Sequence, residues 1–123
     1  MYQTLKTTTM KLKKHIEELK IRYEQSEGPV DKKDKQFFLT MKEETKSIYR
    51  ILEEWEKLAL QVIKYDKINV HPQQIISTAE NVELIILHSY YIDAKRKRYM
   101  NLYKSCQYVM DQLLRALKEG KFV

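Results

Sequence analysis

The sequence predicts an all-α protein, an antiparallel up-and-down four-helix bundle, and three observations carry that prediction. First, the 123 residues include only 2 Gly and 2 Pro, where average usage would give roughly 15. Those residues punctuate turns and hairpins, so their scarcity excludes an all-β sandwich or barrel with a turn every ~8–12 residues. Second, four stretches place apolar residues at alternating steps of 4 and 3, the seam a helix shows to a near-parallel neighbour. Third, 43% of the residues are hydrophobic and 33% are charged, as expected when several amphipathic helices each bury one face and solvate the other. Residues 1–123 are expected to form a single bundle domain.

The first helix is expected at about residues 4–26. Leu5, Thr9, Leu12, Ile16, Leu19 and Tyr23 form its seam, and Lys13, Lys14, Glu17, Glu18 and Lys20 its polar face. The threonine run Thr7–Thr9 forms helix poorly, so the first turns are expected to fray. Gly28-Pro29 stops the helix within a polar loop. The second helix is expected at about 35–65, after Asp34 as N-cap, with Met41, Thr45, Ile48, Leu52, Trp55, Ala59 and Val62 on its seam. Unbroken, it would reach about 45 Å. The polar stretch Glu43–Lys46 therefore leads to the expectation of a short helical turn or kink at its N-terminal end.

Pro72 suits the first position of a third helix, at about 72–93, with His71 as a capping or turn residue. Ile75, Ala79, Val82, Ile86 and Ser89 form its seam. Val82–Ile92 holds a single charge, Glu83, which marks the most buried helix or one that covers a partner. The fourth helix is expected at about 97–118, on Tyr99, Tyr103, Cys106, Met110, Leu113 and Leu117, with Gly120 just beyond it. No Gly or Pro separates the third and fourth segments. The seam slips by one residue between Ser89 and Tyr99, which places a short turn within Asp93–Arg98.

Val70-His71-Pro72-Gln73-Gln74-Ile75, Glu83-Leu84-Ile85-Ile86-Leu87 and the run from Tyr90 through Arg98 to Tyr99, with Phe37-Phe38 and Trp55 upstream, resemble the YppE-like family. These are small proteins of low-GC Gram-positive bacteria with no assigned activity. The likeness covers most of residues 35–118. It implies a four-helical bundle in the cytosol, and it carries no catalytic residues or cofactor to this chain.

The residues themselves point away from catalysis and toward binding. No Gly-rich loop exists to cradle a phosphate. Leu12, Ile68 and Ile85 stand three residues before His15, His71 and His88, so no Glu-x-x-His pair exists for a carboxylate-bridged metal. No His-x-x-x-His step or second cysteine offers a zinc site. His88 reads as a core-edge histidine bonded to a neighbouring helix, His15 as a residue of a solvated face, and Cys106 as a buried thiol acting as a small hydrophobe. No enzyme, cofactor or metal is expected.

No stretch is long and apolar enough to span a membrane, and the first residues lack the apolar region of a signal peptide. With a single cysteine as well, these features give the expectation of a cytoplasmic protein without a membrane partner. Charge is uneven. The total is +6; residues 68–94 carry no basic and 3 acidic groups, while residues 95–123 carry 8 basic and 2 acidic groups, a net of +6. Lys95, Arg96, Lys97 and Arg98, with Lys104 further on, are the candidate contacts for an anion or partner. Leu84, Leu87, Tyr90, Tyr91 and Tyr108 are the candidate apolar patch for a protein partner or a second copy. Three functions follow: a non-enzymatic protein-interaction module, a nucleic-acid-associated protein using the basic C-terminal quarter, and a small-ligand or metal-binding bundle using His88 and nearby tyrosines.

Overall fold

The computed structural model describes residues 1–119, and Gly120 lies outside them. Four helices follow one another: α1 (Tyr2–Gln25), α2 (Lys35–Asp66), α3 (Pro72–Tyr91) and α4 (Arg96–Glu119). Consecutive helices run antiparallel with neighbouring faces packed. α1 and α3 also approach across the bundle, so α2 and α4 stand at the far corners and do not meet. All four seams converge on one apolar core that includes Leu12, Ile16, Leu52, Trp55, Val82, Ile86, Tyr99 and Met110. Each fully buried aliphatic side chain of this kind contributes ~1.5–3 kcal/mol against exposure.

The helix starts follow local chemistry. The Asp34 carboxylate accepts from Phe37 N–H at 3.0 Å and caps α2. Ahead of Pro72, His71 Nδ1 accepts from Gln73 N–H at 3.0 Å while Gln74 Oε1 accepts from His71 N–H at 2.9 Å. This reciprocal pair satisfies donors that the first turn of α3 leaves open.

Three expectations are corrected. The threonine run does not fray α1. Thr8 and Thr9 are buried, and each hydroxyl donates to the carbonyl four residues back at 2.7 Å. Thr9 also accepts from Trp55 Nε1 at 3.0 Å, which ties α1 to α2 inside the core.

α2 is one helix of 32 residues with no separate turn at its start, about 48 Å long. Its first turns are held by α3. Phe37 lies edge-on to Tyr90 and tilted against Tyr91, at 6.3 and 5.3 Å between ring centroids, and Glu44 accepts from Tyr90 Oη at 3.0 Å.

The α3–α4 turn occupies residues 92–95, so Arg96, Lys97 and Arg98 belong to the first turn of α4. Ile92 closes α3 without a glycine. It adopts the left-handed conformation, φ 53°, and donates its N–H to His88 O at 2.9 Å. A β-branched residue there carries strain of ~1–3 kcal/mol. The surroundings over-determine it: Val30 N–H donates to Tyr91 O at 3.0 Å, and Tyr23 Oη donates to Ala94 O at 2.5 Å.

Candidate functional site

The turn that bears the basic run is clamped from three sides. Tyr23 of α1 stacks on Tyr99 with centroids 3.9 Å apart and planes within 3°. The Tyr99 hydroxyl lies 2.6 Å from Ser89 Oγ, which itself donates to Ile85 O. Burial pushes the Tyr99 phenol up to about 12. From the α1–α2 loop, Lys32 Nζ reaches Asp93 Oδ2 at 2.7 Å, and His88 Nδ1 lies 2.7 Å from Asp93 Oδ1. Partial burial raises the Asp93 carboxyl, but hydrogen bonds from Lys32 and His88 outweigh it and hold the group at about 2. His88 is thus bonded to the connector after its own helix, not to a neighbouring helix as expected. Its Nε2 is buried and has no hydrogen-bond partner among the described residues, so this His–Asp pair presents no solvent-accessible nitrogen to a substrate.

At this clamped turn the four cations of the run separate. Arg96 turns to α1 and donates to Glu24 Oε2 at 3.0 Å. Lys95, Lys97 and Arg98 turn the other way, into a shallow groove between α3 and α4 with Asn81, Asn101 and Ser105 on its walls and Leu84 and Leu102 among its apolar lining. No carboxylate lines the groove. None of these three cations has an ion pair among the described residues. Lys104 is exposed and stands outside it. At 100° per residue, its place seven residues after Lys97 puts it on the outward face of α4.

This arrangement opposes helix stability. The first turn of α4 carries no acidic residue, and cations there meet the positive end of the helix dipole, each at about 0.3–1 kcal/mol. The open backbone N–H groups of that turn and the cationic side chains together favour a bound anion. Amide and hydroxyl groups on the walls add donors.

The expected apolar patch does not form. Tyr90 and Tyr91 are only 7% and 8% exposed, because Phe37 packs on both and the Arg22 guanidinium covers the Tyr90 ring at 3.8 Å. Burial and the Glu44 hydrogen bond raise the Tyr90 phenol to about 12 and outweigh the lowering by the Arg22 charge. The other three members part company: Leu84 lines the basic groove, Leu87 lines a separate groove with Phe38, Leu39 and Tyr49 of α2, and Tyr108, 63% exposed, stands on the outer face of α4. Cys106 is fully buried, its Sγ 3.9 Å from Thr78 O, and burial pushes its thiol up to about 12. His15 is half-buried beside Glu18 at 3.8 Å. Among the described residues no three His, Cys, Asp or Glu side chains converge as a metal site, and no helix is long and apolar enough to cross a membrane.

Sequence reasoning missed Asn81, Asn101, Ser105 and the Glu24–Arg96 pair. Asn101 was readable from the helix period, since it follows Lys97 by four residues. Ser105 was readable likewise, seven residues after Arg98 on the same helix; Asn81 and Glu24 come from distant segments, and no local signal marks them.

Fold and groove together define a small four-helix bundle with a basic surface beside its last helix. The chain belongs to the family described as a bacterial domain of unknown function, DUF1798, whose model matches residues 9–117. The crystal structure of yppE from Bacillus subtilis is similar, with a TM-score of 0.85 at 24% identity over 98% of this chain and 97% of that one. The solution structure of yppE superposes with a TM-score of 0.78 at 22% identity, covering 96% of this chain and 95% of that one. A protein of unknown function from Listeria innocua gives 0.82 at 19% identity, over 98% of both chains. The YppE-like resemblance read from the sequence holds, and at these identities the structures show the fold alone. No curated protein matches the sequence.

Proposed function

We propose that this protein is a non-enzymatic, cytoplasmic binding module that receives an anionic macromolecule on the groove between α3 and α4. One observation carries the reading. Lys95, Lys97 and Arg98 converge with Asn81, Asn101 and Ser105 on a surface lined by no carboxylate, at a helix start where cations reduce stability. Surface cations kept for solubility alone gain nothing from that position. The buried Nε2 of His88 and the high thiol of Cys106 supply neither an accessible base nor a nucleophile. A shallow, open surface suits a macromolecule better than a small metabolite, which binds in an enclosed pocket.

Chromatography on immobilised heparin, a generic polyanion, tests the reading. The wild-type chain is expected to elute at clearly higher salt than a triple Lys95→Glu, Lys97→Glu, Arg98→Glu variant with an unchanged helical circular-dichroism spectrum. Equal elution of the two overturns the proposal. Reversing the exposed Lys46, Arg50 and Lys57 on α2, which does not pack against α4, controls for net charge and is expected to shift elution less.

A further inference from the structure

The groove is one edge of a longer feature. Lys97, Asn101, Lys104, Tyr108 and Arg115 are all exposed, and they follow one another at steps of 4, 3, 4 and 7. At 100° per residue these positions fall within about 60° of arc, a single stripe on the face of α4 opposite its core residues Tyr99, Cys106 and Met110. From Lys97 to Arg115 the stripe runs about 27 Å. Asp111 stands on the same side of α4, and its charge is taken up by Lys13 Nζ at 2.5 Å. Beyond it, Arg115 and Lys118 share a second groove with Lys6, Lys13, Lys14 and Glu17 of α1. As a unit α1 and α4 carry 12 basic and 5 acidic residues, a net of +7, whereas α2 and α3 carry 6 and 8, a net of −2.

An acidic peptide segment needs a compact basic cluster and an apolar anchor. A strand with a charge on every unit needs cations spaced along a line. The groove taken alone has the first form, but the stripe that continues from it along α4 has the second. It also holds an aromatic ring, Tyr108, 63% exposed between Lys104 and Arg115, where no protein contact explains a large apolar surface. Cations along a track with an exposed aromatic between them are how sequence-tolerant proteins hold single strands: the cations follow the phosphates and the ring stacks a base. Asn101 and Ser105 add donors and acceptors within reach of a sugar or base edge.

We propose that the anionic partner is a single-stranded nucleic acid lying along α4, its phosphates on Lys97, Arg98, Lys104 and Arg115 and one base stacked on Tyr108. This rests on the anion-binding reading above and names the partner of that site. The length of the stripe corresponds to about eight nucleotides at the ~3.4 Å spacing of a stacked strand.

Fluorescence anisotropy with labelled, mixed-sequence single strands of about 4, 8, 12 and 16 nucleotides tests it, with polyglutamate of matched charge and a duplex of matched length as comparisons. Affinity is expected to rise with length up to about eight nucleotides and then level off. Four phosphate contacts on a single strand give a log–log salt slope near −3, about 50-fold weaker binding at ~200 mM than at ~50 mM salt. Tyr108→Ala, at an exposed position, is expected to weaken strand binding about tenfold and leave polyglutamate binding unchanged. Polyglutamate or duplex binding as tight as the single strand, with no effect of Tyr108→Ala, overturns the strand and leaves the anionic reading standing. Binding of none of the three probes overturns both.

Discussion

Thr9 and Trp55 give the sharpest test of how this bundle is held together. Both are fully buried, and Trp55 Nε1–H donates to Thr9 Oγ1 at 3.0 Å while the threonine donates to Leu5 O. Thr9→Val keeps the shape and nearly the same helix propensity, and Leu5 O keeps its helical bond. The indole N–H, however, loses its acceptor where no water reaches it. An orphaned buried donor costs about 1–3 kcal/mol, and the extra methyl recovers less than ~0.8 kcal/mol. The net expectation is a loss of about 1–2 kcal/mol. Trp55→Phe removes the donor and leaves a small cavity, for about 2–3 kcal/mol. In that background Thr9→Val is expected to cost close to nothing, a coupling of about 1–2 kcal/mol. Urea unfolding followed by helical circular dichroism measures all four corners of the cycle, since Trp55 is the chain's single tryptophan and is absent from two of them. With a urea slope of ~1–3 kcal/mol per M, the Thr9→Val midpoint falls by roughly 0.5–1.5 M. Equal costs of Thr9→Val in the two backgrounds would refute the reasoning.

Four more outcomes follow from named groups. Lys97→Glu is expected to raise stability by about 0.3–1 kcal/mol, through the dipole at the start of α4, while weakening polyanion binding; a variant that is less stable contradicts the electrostatic account of that turn. The folded Cys106 thiol titrates at about 12 against an ordinary 9.0, and Tyr99 at about 12 against 10.0. Both raised values contribute stability that is present below pH 9 and lost as pH rises toward 12, so the urea midpoint should fall across that range. Native Cys106 should also react with an aromatic disulfide reagent far more slowly than in denaturant. Asp93 runs the other way. Its carboxyl is held at about 2 against 3.8, so its contribution is present above about pH 4 and lost as pH falls through 2. Asp93→Asn should remove that part of the acid dependence, and an unchanged acid profile would show that the Lys32–Asp93–His88 chain does not tie the two connectors.

The sites divide by how far apart in the chain their partners lie. His71 as a cap, Asp34 as a cap and Pro72 as a helix start were readable because each works on residues two or three positions away. Cys106 in the core was readable because its seam position forces it inward. Tyr90 and Tyr91 were misplaced onto a surface. The 3.6-residue period says which side of α3 they occupy, but not that Phe37, more than 50 residues earlier, rises to cover them.

What the sequence determined alone is the number of helices, their register and the uneven charge, because periodicity, capping and composition act within a turn or two of chain. Tertiary structure decided the rest. It sealed a glycine-free turn with Ile92 in a left-handed conformation, because Val30, Tyr23 and Lys32 from distant segments hold that connector. It also sorted one basic run into a structural arginine, Arg96, and a groove of three free cations. Which way each side chain turned depended on Glu24 lying on one flank of α4 and on Asn81 and Leu84 lying on the other.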